Sequence, residues 1–299
     1  MNYSRISFLL FTICLLNFSE IAAQCQNCTT LISSNQNNLT VSSGVVCIAS
    51  GVTITGTISL SNGATLCNQG TLNISSMIVN TAQNANLINY GSISANSITW
   101  GTNATGSFDN YGTVLCNDLN LGYHYGYNVN FTNHPNANFT VNCSAYLLAG
   151  TFNFNGPATF NAPIYFSGAA STVNINFNSV FNCSNQINSG AGIANNITVA
   201  NNATVNSYSW NITDDALFTN NGTVNISDAF LLQASSGENI VFNQNNNLRV
   251  RGSSSSTGLS ISNVGGNLQF TNSGPTSVQN RFSIQGATLI MNGYNVFCN

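Results

Sequence analysis

The sequence predicts an all-β chain, a right-handed parallel β-helix (β-solenoid) of roughly twelve coils of about 21 residues each. Three observations predict it. A pattern at 64–74 (ATLCNQGTLNI) returns at 85–95 (ANLINYGSISA), 106–116 (GSFDNYGTVLC) and 216–226 (ALFTNNGTVNI). The first three copies are evenly spaced, and the fourth stands close to five further units along the chain. A unit this short cannot bury its apolar side alone and has to stack on its neighbours. Between the copies, stretches such as 52–54, 57–60, 72–74 and 173–177 alternate apolar residues with Asn, Ser or Thr and are punctuated by Gly and Asn-Gly. A period of two marks strands with one buried face, and no stretch carries a helical period. Finally, charged residues are only 4% of the chain against 43% hydrophobic. Weakly charged, Asn-rich and β-prone is the composition of stacked strands, and the even spread of Val, Ile, Leu and Phe opposes disorder. The hand follows the general crossover preference.

Taken in order, residues 1–23 have the anatomy of a signal peptide: Arg5, an apolar run over 8–16, and Ile21-Ala22-Ala23 before a cut at Gln24. Residues 24–40 form an expected N-terminal cap, and 41–299 the β-helix domain, its coils starting near Leu39. Eight cysteines follow the leader: Cys25, Cys28, Cys47, Cys67, Cys116, Cys143, Cys183 and Cys298. An even number in an exported chain allows disulfides, and their pairing stays open. Cys25 and Cys28 read as an N-terminal staple rather than a zinc half-site, because no second CxxC accompanies them. Cys47 and Cys67, one coil apart, are either bonded to each other or stacked as small buried hydrophobes.

Within the coils, Leu66, Leu87, Phe108 and Phe218 are expected in one inward column, Leu72, Ile93, Val114 and Val224 in a second, and Ile74, Ala95, Cys116 and Ile226 in a third. Asn68, Asn89, Asn110 and Asn220 stand two residues before a glycine. This reads as a turn at positive φ, with the amides free to form a ladder along the stack. Ala137 and Ala158 continue the pattern, as do 202–205 and 286–289, while 121–127 (LGYHYGY) and 253–256 look like protruding loops.

Composition also bounds function. There is no lysine, and the four basic residues are Arg5, Arg249, Arg251 and Arg281. That opposes nucleic-acid binding, which needs a basic face, and attachment to anionic membranes. No segment after the leader is long and apolar enough for a transmembrane helix. Calcium-binding nonapeptides, a Gly-rich phosphate loop, GxSxG, HExxH and a Thr ladder of the ice-binding kind are all missing; Asn-x-Ser/Thr sequons are frequent, as the composition alone produces. A β-helix can be a polysaccharide lyase or hydrolase, which requires converging carboxylates and a base. The best constellation for that alternative is Asp214 and Asp215 with Arg251, since Arg249 and Arg251 alternate correctly to share a face; the default is solvated surface charge. His124, among tyrosines, and His134 have no partner motif. No residue is assigned a catalytic, cofactor-binding or metal-binding role, and no cofactor is expected.

The leader, the CQNC at 25–28, VVCIASGVTI at 45–54, NGATLCNQG at 62–70 and the Asn-Tyr-Gly repeats together resemble the N-terminal β-solenoid region of large, adhesin-like surface proteins of type IX-secreting bacteria. The resemblance covers most of the chain after the leader and supplies no catalytic motif. Such proteins usually end in a sorting domain, which this sequence does not show. The resemblance implies a secreted or cell-surface, non-catalytic structural and adhesion module. Its expected partners are extracellular glycans or surfaces, with end-to-end self-association as a further expectation because solenoid ends are strand edges.

Overall fold

The computed structural model describes residues 25–81, 83–122, 128–166, 171–189, 195–254 and 257–298. The expected leader, the 123–127 loop with His124, and residues 255–256 lie outside them. The described chain is all-β, a β-solenoid of about twelve coils with thirty parallel-paired strands. Each coil contributes to three ladders, which we call faces. The first face is a thirteen-stranded sheet running from Thr30–Ile32 through Gly44–Ile48 and Ala64–Asn68 to Thr288–Met291. The second and third faces come from the rest of each coil. In the N-terminal half a single long strand serves both, as in Thr71–Val79, Ser92–Trp100 and Thr113–Leu121, bending at one residue that drops out of register. Towards the C-terminus the two faces use separate strands, such as Thr223–Ile226 and Phe230–Ala234.

Strand pairing starts earlier than Leu39. Thr30–Ile32 pairs with Gly44–Ile48, and Gln36–Val41 with Thr53–Leu60, so most of the segment read as a cap is already the first coil. What precedes it is a strap. Cys25 is bonded to Cys67 and Cys28 to Cys47. Cys47 and Cys67 are register partners on neighbouring first-face strands, but each bonds the strap instead of the other. They alternate with inward Val46 and Leu66, and the strap covers them, leaving both 2% exposed. Two disulfides fit an oxidising compartment.

The inward columns are continuous. Leu66, Leu87, Phe108, Phe131, Phe152, Val173, Ile197, Phe218, Phe242 and Phe270 stand in register along the first face. Leu72, Ile93 and Val114 align on the second face, as do Ile74, Ala95 and Cys116. The C-terminal phenylalanines stack directly, with ring centres 4.6 Å apart for Phe218 and Phe242 and 5.0 Å for Phe242 and Phe270, whereas Phe108 meets Phe131 edge-on at 5.3 Å. Burial of such a column is shared between coils, so no coil is stable without its neighbours.

The Asn-x-Gly corner differs from its expected form. Asn68, Asn89, Asn110 and Asn220 are fully buried, and neither they nor the following glycines adopt positive φ. The side chain points into the core, where its Oδ1 accepts from the glycine N–H (Gly70 to Asn68, 3.0 Å). Its Nδ2 donates to the next amide: Asn68 to Asn89, Asn89 to Asn110 and Asn110 to Asn133, each 2.8 Å. Glycine is required for closeness, not for φ. A Cβ on Gly91 would lie 2.1 Å from the Gly70 carbonyl oxygen, and one on Gly112 2.1 Å from that of Gly91. The ladder position is then filled by Phe154, Ile175 and Val199 before Asn220, Gln244 and Asn272 resume it. At Ile175 and Val199 no side-chain carbonyl caps the corner. The turn there is longer and uses left-handed Asn178 and Asn202 (φ 61° and 59°), closed by Ser179 N to Asn176 O and Ala203 N to Ala200 O.

The last described coil leaves its inward positions open. Ile284, Leu289 and Met291 are 37–39% exposed, whereas their partners one coil earlier, Ile261, Phe270 and Asn272, are at most 1% exposed.

Four described cysteines are free: Cys116 and Cys183 buried, Cys143 and Cys298 exposed. Burial pushes the Cys116 thiol up to about 12, with the Asp118 charge adding, and the Cys183 thiol up to about 11. Thiolate is the reactive form. At pH 8 a maleimide is therefore expected to modify Cys143 and Cys298 in the folded chain, and Cys116 and Cys183 only after denaturation, as peptide mapping would show. The same shifts carry a sign. From about pH 9 up to about 11 for Cys183 and about 12 for Cys116, the unfolded thiols release protons that the folded ones keep, so stability falls as pH rises through that window.

Candidate functional site

Outward positions alternate with the core columns, and where a polar residue recurs at the same step the side chains join along the axis. On the edge between second and third faces, Asn117 donates to Asn96, Asn142 to Asn117 and Asn161 to Asn142, at 3.5, 3.4 and 3.0 Å. On the second face Asn206 donates to Asn182 and Asn225 to Asn206, at 2.8 and 2.9 Å. The next residues in that column are Arg249, Ser277 and Phe297.

Two aromatic stacks lie elsewhere on the outer surface. At the edge between first and second faces, Tyr90 stacks on Tyr111 (4.6 Å) and Tyr111 on His134 (3.7 Å). The His134 Nε2 lies 3.2 Å from Asp109 Oδ1, which fixes the ring over Tyr111. Partial burial and the Asp109 charge hold the Tyr90 and Tyr111 hydroxyls above their ordinary range, with each other's charge adding at Tyr111. On the third face Tyr146 stacks on Tyr165 (4.9 Å). Sequence reasoning finds no partner for His134 because its coil is longer than those before it: register pairs Asn89 with Asn110, but Asn110 with the more distant Asn133. The visible clue is that His134, like Tyr90 and Tyr111, directly follows a ladder asparagine.

The carboxylates and arginines of the enzymatic alternative are not brought together. Asp214 and Asp215 form the corner between third and first faces, Asp214 at φ 72°, and Asp215 Oδ1 accepts from Asn239 N at 2.6 Å in the next coil. Arg249 and Arg251 stand on the second face and at its outgoing corner, beside Asn206, Asn225 and Ser227. Other carboxylates also hold the scaffold: Asp118 accepts from Ser144 Oγ (2.6 Å), Glu238 from Ser235 N, and Asp228 from the N–H and hydroxyl of Ser253. The Ser253 hydrogen bonds keep the Asp228 carboxyl below its ordinary range. Among the described residues no three His, Cys, Asp or Glu side chains cluster as metal ligands, and no helix is long and apolar enough to cross a membrane.

The chain matches no protein-family model, no curated protein and no solved structure. The candidate site therefore rests on the geometry of the outer faces: rows of amides, two separate stacks that include exposed tyrosines, and a short cationic segment near Arg249.

Proposed function

We propose that the chain is a secreted or cell-surface, non-catalytic solenoid that presents its outer faces to extracellular glycans or glycan-coated surfaces. The observation that carries the reading is the run of outward amides at successive coils, Asn182, Asn206 and Asn225 and the parallel row Asn96, Asn117, Asn142 and Asn161. Strands repeat about every 4.8 Å along the axis. A row of donors and acceptors at that step is complementary to a polymer whose hydroxyls also repeat. Exposed Tyr111 and Tyr146, 42% and 38% accessible, add apolar surface with a polar tip, a combination favoured at binding surfaces. The resemblance of the leader and N-terminal repeats to adhesin-like proteins of type IX-secreting bacteria supports export and a surface role. The purified protein is expected to be retained on a panel of immobilised extracellular polysaccharides. Replacing Tyr111 and Tyr146 by alanine should weaken retention about fivefold, the loss of roughly 1 kcal/mol of aromatic contact. Failure to bind any polysaccharide on the panel would contradict the reading.

A further inference from the structure

We propose that Arg249, Arg251 and Phe297 form a binding site for acidic polysaccharide, the charged part of the glycan-binding reading on which this inference rests. Arg249 and Arg251 flank buried Val250 and both project to solvent. They form a ridge between two depressions, one of about 250 Å³ lined by Asn206, Asn225 and Ser227 and one of about 320 Å³ lined by Ser277 and Gln279. Arg249 also lines a third, of about 170 Å³, shared with Ser277 and Phe297. The only other arginine of the described chain, Arg281, lies on the third face beside Leu259. Among the described residues no carboxylate is within ion-pair distance of either guanidinium. The carboxylate at this corner, Asp228, is turned onto Ser253. Two guanidinium forks without an anion partner among the described residues, on a chain with no lysine, present charge to solvent at one place.

The ligand chemistry follows from the groups around them. A guanidinium meets a carboxylate with two parallel hydrogen bonds, which selects planar anions. Amide and hydroxyl side chains on both sides of the ridge offer partners for sugar hydroxyls. Phe297 is 61% exposed, in the same outward column two strands beyond Arg249. Its ring gives an apolar surface on which a pyranose face can lie. A polymer that follows the column meets amide, guanidinium, hydroxyl and aromatic ring in turn, which fits a uronate-type polysaccharide.

The test measures binding of the purified protein to polygalacturonate, dextran sulfate and neutral dextran. Polygalacturonate is expected to bind most tightly, and its affinity should fall with added NaCl as screening predicts. Arg249→Gln and Arg251→Gln should each weaken it about tenfold, the loss of one charge-assisted contact, and Phe297→Ala about fivefold. Arg281→Gln removes the same charge from another face and should leave affinity unchanged. Equal losses in Arg281→Gln and Arg249→Gln, or wild-type affinity in the Arg249→Gln/Arg251→Gln double variant, would overturn the site. Tighter binding of dextran sulfate would overturn the carboxylate preference. Binding of neutral dextran alone would overturn the inference and leave the glycan reading standing, whereas binding of no polymer would remove both.

Discussion

Gly91→Ala is expected to destabilise the stack by about 3 kcal/mol or more, the scale of overpacking against atoms that cannot move aside. The Gly70 carbonyl oxygen accepts the Ser92 N–H at 3.0 Å, and the new methyl would stand 2.1 Å from that oxygen, with the Gln69 carbonyl carbon at 2.8 Å. Both neighbours are backbone of the preceding coil, so relief requires the two coils to separate and that hydrogen bond to lengthen. Gly63 provides the comparison. It has positive φ (75°) and open space around the position of its Cβ, so Gly63→Ala should cost only the left-handed strain, about 1–2 kcal/mol. Denaturant titrations of the two variants check the ranking, and an equal or larger loss at Gly63 would contradict the close-approach account.

Asn110→Ala is expected to cost roughly 3–5 kcal/mol, because several buried groups each lose a partner worth about 1–3 kcal/mol. Asn110 accepts from Asn89 Nδ2 (2.8 Å) and Gly112 N (3.3 Å) and donates to Asn133 Oδ1 (2.8 Å) and Asn138 O (3.2 Å). Half-buried Asn225, which donates to solvent-exposed Asn206 at 2.9 Å, should cost under about 1 kcal/mol on the same change, since water can replace it as a partner. Solenoid stability is a sum over neighbours, so the loss should be local. Trp100 packs against Phe108 of the affected coil (5.9 Å) and Trp210 against Phe218 several coils away (4.9 Å). Fluorescence unfolding read from Trp100 in a Trp210→Phe background should shift more than the converse. Asn110→Asp adds a pH signature. A buried carboxylate cannot donate to Asn133, so its folded pKa rises, and the stability it retains is present below the ordinary carboxylate range and lost as pH rises from there through the raised folded value.

Much of this architecture is legible in the sequence where successive coils have equal length. Leu66, Leu87 and Phe108 can be stacked by counting, and so can Asn68, Asn89 and Asn110. Counting fails where turns lengthen. Register pairs Asn110 with Asn133, Ile175 with Val199 and Gln244 with Asn272, each a longer interval than the one before. Left-handed Asn178 sits at the corner inside the 175–199 interval, and the segment with Ser253, bound to Asp228, sits in the longest interval. The turn chemistry misleads for a related reason. Asn-x-Gly is commonly a positive-φ signal, but here the asparagine side chain is drawn inward by amides above and below it, and the glycine is fixed by the approach of the next coil. On the outer face, the pairing of Arg249 with Arg251 is visible as an i, i+2 alternation. Phe297 and the Tyr111–His134 stack are not, since they depend on the register of coils of unequal length.

The measurement that bears most directly on the central claim, binding without catalysis, is product release from a bound polysaccharide. The protein is incubated with the polymer it retains best, and new reducing ends and unsaturated ends are counted over time. Saturable binding with no ends above the protein-free control is the expected result. New ends that disappear in Asp215→Asn would contradict the account and make the chain a polysaccharide-degrading enzyme.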